Sequence, residues 1–352
     1  MKLAIARSTY RLDGGAEKQT EKYIQACLNL GYEVTLVCNS WNISLQNDAF
    51  KVIRVDNKDR FYSAAAAILD THPFDHVIGM EPIKGATILR LGDGIHRDWI
   101  DIKNQNRPLH ALFDRYISRK HRMKLVEQET SLTDEATDQI IVNSEFIYHS
   151  IKKRWPGLVD KIRLVRNVVE HVDQSQTRQP SPERNRFVFI GSGWRRKGLD
   201  RAIKLIATDP YAELEIFGVD KNKSQFERLS EDLKVTNRIH FMGVTNQIHQ
   251  QLGRFLCMLS PSYYEPFPNA GAESLAAGCP VITSITSGLS DWGEDRGIFI
   301  LGNDEWDDPP IGLLTKLIES IPTDLNVRSR YRDKIEQYNL KYLERELSEL
   351  LL

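Results

Sequence analysis

The chain has 352 residues, 41% of them hydrophobic, with a mean hydropathy of −0.41 and a formal net charge of −1. That length exceeds one ordinary core and suits two domains, and the near-zero charge excludes a global field that would gather nucleic acid. Cys27, Cys38, Cys257 and Cys279 form no CxxC pair and no metal-ligand spacing, so they read as small buried apolar residues in a reducing compartment.

The first run, LAIA from Leu3, is too short for a signal peptide and reads as a strand. No window approaches a membrane span, so the expectation is a cytoplasmic protein. YRLDGGAEKQTEKYI follows and opens a helix over 16–30, whose apolar positions Ala16, Tyr23, Ala26, Cys27 and Leu30 keep a helical period. Gly14 and Gly15 at its start are either a plain turn or a place where backbone and helix amides approach a phosphate or sugar oxygen. Strands follow at EVTLVC from Glu33, KVIRV from Lys51, HVIGM from His76 and TILRL from Thr87. The last runs into LGDGIHRDWI, where Asp93 stands between Gly92 and Gly94. An aspartate there is a turn former, or a carboxylate that orients an acceptor hydroxyl or takes its proton. His96 reads as a surface or supporting residue.

NRPLHALFDRYISRKHRMKLVEQET, over 106–130, is expected to be one helix opened by Pro108. Leu109, Leu112, Phe113, Tyr116, Ile117, Met123 and Val126 make a broken apolar stripe along it. Arg115, Arg119, Lys120, Arg122 and Lys124 cluster in its middle, where Asp114 is the single acid. The segment is either a docking surface for an anionic membrane, at about 1 kcal/mol per basic residue, or an ordinary helix with a buried face and a solvated basic side. QIIVN from Gln139 and IRLVRNV from Ile162 close the first strand series.

Polar residues and proline in DQSQTRQPSPERN, 173–185, mark a linker. A second series then runs RFVFIGS, ELEIFG, RIHFMG, FLCMLS and CPVIT, again with helices between, and Gly191, Gly218 and Gly243 close its first three strands. Strand and helix in alternation predict two doubly wound parallel α/β domains facing one cleft. In GSGWRRKGLDRAI, Arg195, Arg196 and Lys197 sit at a strand-to-helix turn, which suits a diphosphate or is a solvated basic loop. A nicotinamide-type glycine fingerprint fits poorly, because Arg196 takes the third glycine position. In SPSYYEPFPNAGAESLAAGCPVIT, Pro266 and Pro268 bar regular helix around Glu265, while Glu273 falls inside the next helix. The two carboxylates can still converge if the turn folds back over the helix start. Trp194, Tyr263 and Tyr264 either line the same site or pack.

With these residues in place the chain resembles the retaining nucleotide-sugar glycosyltransferases of family four, which have the GT-B fold. Glu265 and Glu273 match the E-x7-E motif; DGGAEK, GSGWRRKGLDRAI and EPFPNAGAESLAAGCPVI match its glycine, phosphate and donor loops. Within the family it looks most like the lipopolysaccharide core glucosyltransferases that act on inner-core heptose. The resemblance implies catalytic roles for Asp93, which would face the acceptor, for Lys197, which with Arg196 or Arg195 would neutralise the departing diphosphate, and for Glu265, which would hold the donor sugar's hydroxyls. Glu273 would take the ribose hydroxyls, while Gly218 and the backbone near Met242 would border the base. Gly14 and Gly15 would also serve the donor. Amides within Phe267, Pro268, Asn269 and Ala270 would hold sugar and diphosphate, although Pro268 stands where the family has glycine and supplies none. The family's arginine some six positions before the lysine is also missing, with Gly191 in its place.

Retention of configuration is implied by the resemblance alone. No D-x-D occurs, which leaves no obvious carboxylate pair for a metal-bridged diphosphate, so the expectation is no metal and no cofactor beyond a UDP-linked sugar as co-substrate. The expected architecture is an acceptor-binding Rossmann-like domain over 1–172, a donor-binding one over 173–322, and C-terminal helices over 323–352 crossing back to the first. The expected reaction moves a hexose, glucose, to a lipid-linked saccharide such as core heptose, at the cytoplasmic face of the inner membrane. A nucleotide-sugar epimerase of the same fold and a non-catalytic membrane-associated nucleotide-sugar-binding protein remain as alternatives.

Overall fold

In the computed structural model, the described residues are 1–9, 15–41, 45–55, 61–105, 108–170, 181–245 and 247–352. They divide into two units, Met1–Val168 with Tyr338–Leu352, and Val169–Gln337.

In the first unit short apolar runs become β1 (Lys2–Ala6), β2 (Glu33–Cys38), β3 (Phe50–Arg54), β4 (His76–Gly79), β5 (Ile88–Arg90), β6 (Gln139–Val142) and β7 (Ile162–Leu164). They pair in parallel in the order β3-β2-β1-β4-β5-β6-β7, with Ala4 opposite Thr35 on one side and Val77 on the other. Alternate residues of β1 face opposite layers: Leu3 and Ile5 pack with Tyr23, Ile24 and Cys27, and Ala4 and Ala6 with Phe61, Ala65 and Val77. The covering helices are α1 (Gly15–Asn29), α2 (Phe61–Thr71), α3 (His96–Lys103), α4 (Pro108–Leu112), α5 (Arg119–Leu132) and α6 (Glu145–Arg154). Strand order reverses between β1 and β4, so the loops leaving their carboxyl ends diverge there and open a site.

The second unit repeats the plan with β8 (Glu183–Ile190), β9 (Glu213–Phe217), β10 (Ile239–Gly243), β11 (Phe255–Ser260), β12 (Val281–Ser284) and β13 (Ile298–Leu301). Their parallel order is β10-β9-β8-β11-β12-β13, and the reversal lies between β8 and β11. Its helices are α7 (Trp194–Lys197), α8 (Leu199–Ala207), α9 (Lys223–Asp232), α10 (Ile248–Gln251), α11 (Asn269–Ala276), α12 (Asn303–Asp307), α13 (Leu313–Ser320) and α14 (Leu325–Ile335). Last comes α15 (Leu340–Leu350), which belongs to the first unit. Its Leu343 and Leu347, one turn apart, are buried with Tyr23 and Ile24, and each is worth roughly 1.5–3 kcal/mol of burial.

Four expectations change. The polar linker stops short of 185, because Glu183–Asn185 begin β8; residues 173–180 lie outside the described ones. The strand IFIL, β13, was not foreseen although it is a continuous apolar run; it pairs with β12 at the edge of the sheet, with only its two ends buried. The return to the first unit starts at Tyr338 rather than 323, because buried Arg328 in α14 donates to the Phe255 carbonyl (3.0 Å) and its neighbours and holds that helix on the second unit. Finally, the single helix expected over 106–130 is α4, a π-helical turn over Phe113–Ile117, an extended Ser118 (φ −63, ψ 109), and α5. Asp114 is drawn to Lys103 (3.0 Å) and Asn104 (2.9 Å), and Arg115 to Asp101 (Nε 3.0 Å from Oδ1), which anchors the irregular turn to α3.

Candidate functional site

At the carboxyl end of the second sheet, glycine lets three strand ends crowd together. Gly191 after β8 and Gly218 after β9 take φ of +131 and +129. Gly191 N–H donates to the Phe217 carbonyl (2.9 Å) and Gly218 N–H to the Gly243 carbonyl (2.8 Å). A Cβ on Gly218 would lie 2.3 Å from the Gly191 oxygen, so no larger residue fits without moving backbone. Met242, beside the register shift in β10, is half exposed.

Two left-handed glycines, Gly193 (φ +73) and Gly198 (φ +74), confine WRRK to one turn, α7, and thereby sort its side chains. Trp194 is buried against Phe226 and Phe241 and donates its Nε1–H to the Gly191 carbonyl (2.9 Å), so it packs rather than lining a site. Arg195 is exposed. Arg196 Nη1 and Lys197 Nζ both donate to Glu265 Oε2, at 2.8 and 3.0 Å. Arg196 also reaches the Tyr264 carbonyl (3.2 Å). Glu265 is 8% exposed, and its backbone is pinned: its N–H donates to the Thr286 carbonyl (3.1 Å) and its carbonyl accepts from Gly288 N–H (2.9 Å). Burial alone would raise the pKa of this carboxyl, but Arg196 and Lys197 outweigh it and hold it below the ordinary carboxylate value. The site thus holds two cations against one ionised carboxylate.

The loop carrying Glu265 is fixed to the basic turn by more than this pair. Arg201, fully buried on α8, lies 3.7 Å over the Tyr263 ring, while Tyr263 donates its hydroxyl to Asp200 (2.7 Å). Phe267 is buried edge-on to Trp292. Pro268 caps α11, its carbonyl accepting from Gly271 and Ala272 N–H (2.9 and 3.1 Å), so the first-turn amides at 269 and 270 precede the helix's own bonds. Glu273 sits one turn into α11, its Oε2 3.8 Å from His249 Nε2.

In the first unit, charged residues stand at the ends of three adjacent strands: Arg7 after β1, Glu81 after β4 and Asp93 after β5. Arg7 is buried, 3.5 Å from Glu17 Oε1; burial lowers its pKa, but the fields of Asp93, Glu81 and Glu17 prevail and raise it. Glu81 accepts from Ser8 N–H, and burial pushes its carboxyl up despite Arg7. Neither residue was foreseen; the available signal was a charge directly after an apolar strand, in LAIAR and HVIGME. Asp93 itself is exposed on a clamped loop. Gln128 of α5, buried, donates to the Gly94 carbonyl and accepts from His96 N–H, both at 2.8 Å, while Asn143 donates to the Gly92 carbonyl (3.2 Å). His96 is stacked on His121 (Nε2 to Nδ1, 2.9 Å); burial, then Lys124 and His121, push its pKa down to about 4.

Gly15 opens α1, and Gly14 lies outside the described residues. Of the expected basic surface, Arg115 is committed to Asp101, whereas Arg119, Lys120, Arg122 and Lys124 are exposed. The apolar stripe is exposed too: Leu109 80%, Tyr116 62%, Ile117 67% and Val126 58%. It is therefore not the buried face of an ordinary helix. No described helix is long and apolar enough to cross a membrane.

Residues 173–308 match the sequence profile of the family described as glycosyl transferases group 1. The lipopolysaccharide glucosyltransferase WaaG of Escherichia coli K12 is 24% identical over 302 residues, 80% of each chain. Among solved structures, a WaaG glycosyltransferase involved in lipopolysaccharide biosynthesis superposes with a TM-score of 0.78 at 19% identity over 99% of both chains. Anabaena Alr3699/HepE, solved with UDP-glucose, gives 0.70 at 14% identity over 100% of this chain and 99% of its own. These likenesses assign the GT-B fold to the two parallel-sheet units.

Proposed function

We propose that the chain is a nucleotide-sugar-dependent glycosyltransferase of the GT-B fold that moves glucose from UDP-glucose to a lipid-linked saccharide with retention and without a metal. The observation that carries this reading is the shared carboxylate oxygen, with Arg196 and Lys197 at 2.8 and 3.0 Å from Glu265 Oε2 beside the glycine-lined strand ends. Negative charge gathers on the diphosphate as the sugar–phosphate bond breaks. Two cations already fixed by backbone geometry stabilise that charge without reorganising, and losing one such donor costs on the order of 10²–10³ in rate, roughly 3–4 kcal/mol.

In this reading the diphosphate takes over the cations and Glu265 turns to the donor sugar's hydroxyls. Glu273 takes the ribose hydroxyls, the amides at 269 and 270 serve the diphosphate, and Gly218 with the Met242 backbone borders the base. The UDP-glucose bound by Anabaena HepE supports a uridine donor. Asp93, on its clamped loop, orients the acceptor hydroxyl or takes its proton, with Gly15 also in the first unit. Metal independence rests on the missing D-x-D.

The exposed stripe of α4–α5 and the four exposed cations fit the headgroup region of an anionic membrane, where a lipid-linked acceptor resides. Reversing the charge of Arg119, Lys120, Arg122 and Lys124 together is expected to abolish pelleting with anionic vesicles at low salt; unchanged pelleting removes the membrane from the proposal. The transfer reading is tested by incubating the protein with UDP-glucose and a lipid-linked core saccharide. Glucosylated product dependent on the acceptor supports it, and an epimerised nucleotide sugar formed without acceptor replaces it.

A further inference from the structure

A groove of about 310 Å³ in the first unit lies between α3, α5 and α6, behind the Asp93 loop. Its walls carry Arg97 from α3, Gln128 and Glu129 from α5, and Lys153, Arg154 and Trp155 at the end of α6. Arg154 is spoken for: its Nε donates to Asp98 (2.7 Å) and its Nη2 reaches Asp101 (3.2 Å). Those two acids are thereby used up, Asp101 also taking Arg115. Arg97 and Lys153 have no hydrogen bond or ion pair among the described residues, and the one carboxylate facing them across the groove is exposed Glu129.

Lys153 by itself is accounted for, because a cation in the last turn of α6 complements the helix dipole. Arg97 is not: it occupies the first turn of α3, where the dipole opposes a positive charge. An Arg held half-buried at the wrong end of a helix, opposite a free Lys, is arranged for an anion. Trp155, also half-buried, adds a flat apolar wall with a polar edge, suited to the C–H face of a sugar ring. The volume stands at the lower end of small-molecule pockets, about 300–1,000 Å³, which fits a single phosphorylated monosaccharide unit. Gln128 joins the groove to the loop, since its amide lines the one and holds Gly94 and His96 of the other.

We propose that this groove binds a phosphate ester carried on a saccharide, and so anchors a phosphorylated unit of the acceptor beside Asp93. The acceptor part of the statement rests on the role given above to the first unit; the binding part does not. Arg97 and Lys153 grip the phosphate, Gln128 takes a sugar hydroxyl, and Trp155 covers the ring.

The test is a titration of the full-length protein with glucose 6-phosphate, without donor, read at the Trp155 indole ¹H–¹⁵N resonance assigned through Trp155→Phe. The resonance is expected to move with glucose 6-phosphate and not with glucose. In the double variant Arg97→Gln, Lys153→Gln, which breaks no hydrogen bond or ion pair among the described residues, affinity is expected to fall on the order of tenfold. The same variant is expected to pellet with phosphatidylglycerol vesicles as the wild type does. An unmoved Trp155 resonance, or unchanged affinity in the double variant, overturns the site. Lost pelleting together with an unmoved resonance reassigns the groove to a lipid headgroup and overturns the saccharide. Failure of glucosyl transfer to every lipid-linked saccharide would leave this titration intact, so the two readings fail separately.

Discussion

Glu265→Gln separates the two duties the structure gives this side chain. The substitution keeps its shape and removes its charge, so Arg196 and Lys197 lose the carboxylate they share. Removing one partner of an enclosed ion pair costs about 3–5 kcal/mol. Here the Arg196 side chain is 38% exposed and water takes up part of its charge, while glutamine still accepts a hydrogen bond, so about 1–2 kcal/mol is expected. For a unit of this size that lowers the melting temperature by roughly 2–8 °C. Because folding depresses the Glu265 pKa, its contribution is present above the ordinary carboxylate pKa and disappears as pH falls through the folded value. Wild type and variant therefore converge in acid. Nucleotide binding moves the other way: carboxylate and diphosphate compete for the same two cations, so UDP is expected to bind the variant at least as tightly, and up to about fivefold tighter for roughly 1 kcal/mol of competition relieved. Transfer nevertheless falls on the order of 10²–10³, because the sugar loses its anchor in the transition state. Calorimetric UDP titration, thermal melts from neutral to acid pH, and UDP release with donor and acceptor read all three effects. Weaker UDP binding in the variant, or transfer at the wild-type rate, would refute the exchange of partners on which the mechanism rests.

Gly198→Ala forces alanine into φ +74 and sets a Cβ 2.2 Å from the Pro261 oxygen, so urea denaturation is expected to show a loss above the ~1–2 kcal/mol of the left-handed backbone alone, with weakened UDP binding. Gly31→Ala, at φ +86 with open space around it, is the control and should cost only the backbone part. Gln128→Ala releases the Asp93 loop; acceptor-dependent transfer is expected to fall while slow hydrolysis of the donor stays at the wild-type rate, and equal loss in both assays would argue for a merely structural role. Turnover is expected to be unchanged by excess EDTA, and chelator-sensitive turnover that a divalent ion restores would remove the metal-free mechanism.

Much of the molecule was legible because it depends on neighbours along the chain. Apolar runs a few residues long gave most strands, and Gly191, Gly218 and Gly243 marked their ends, since glycine alone tolerates such crowding. Proline around Glu265 announced a turn for the same local reason. The strand β13 was missed although IFIL is as apolar as its neighbours; its place at the sheet edge is set by pairing with β12, which no local window shows. The break at Ser118 was missed because it is imposed from outside, by α3 pulling on Asp114 and Arg115.

What the residues by themselves determined is therefore the inventory: two sets of parallel strands, a basic turn, a proline-bound carboxylate, and an aspartate between glycines. Tertiary structure alone decided which of these meet. Lys197 and Glu265, 68 residues apart, share a site because the strands that precede them, β8 and β11, are neighbours in the sheet. Arg196 rather than Arg195 faces that carboxylate because two left-handed glycines fix the phase of one helical turn. Arg7, Glu81 and Asp93 gather because their strands adjoin. Periodicity is a short-range property of the chain, whereas strand order and side-chain phase are set by which faces bury together, and no local window contains them.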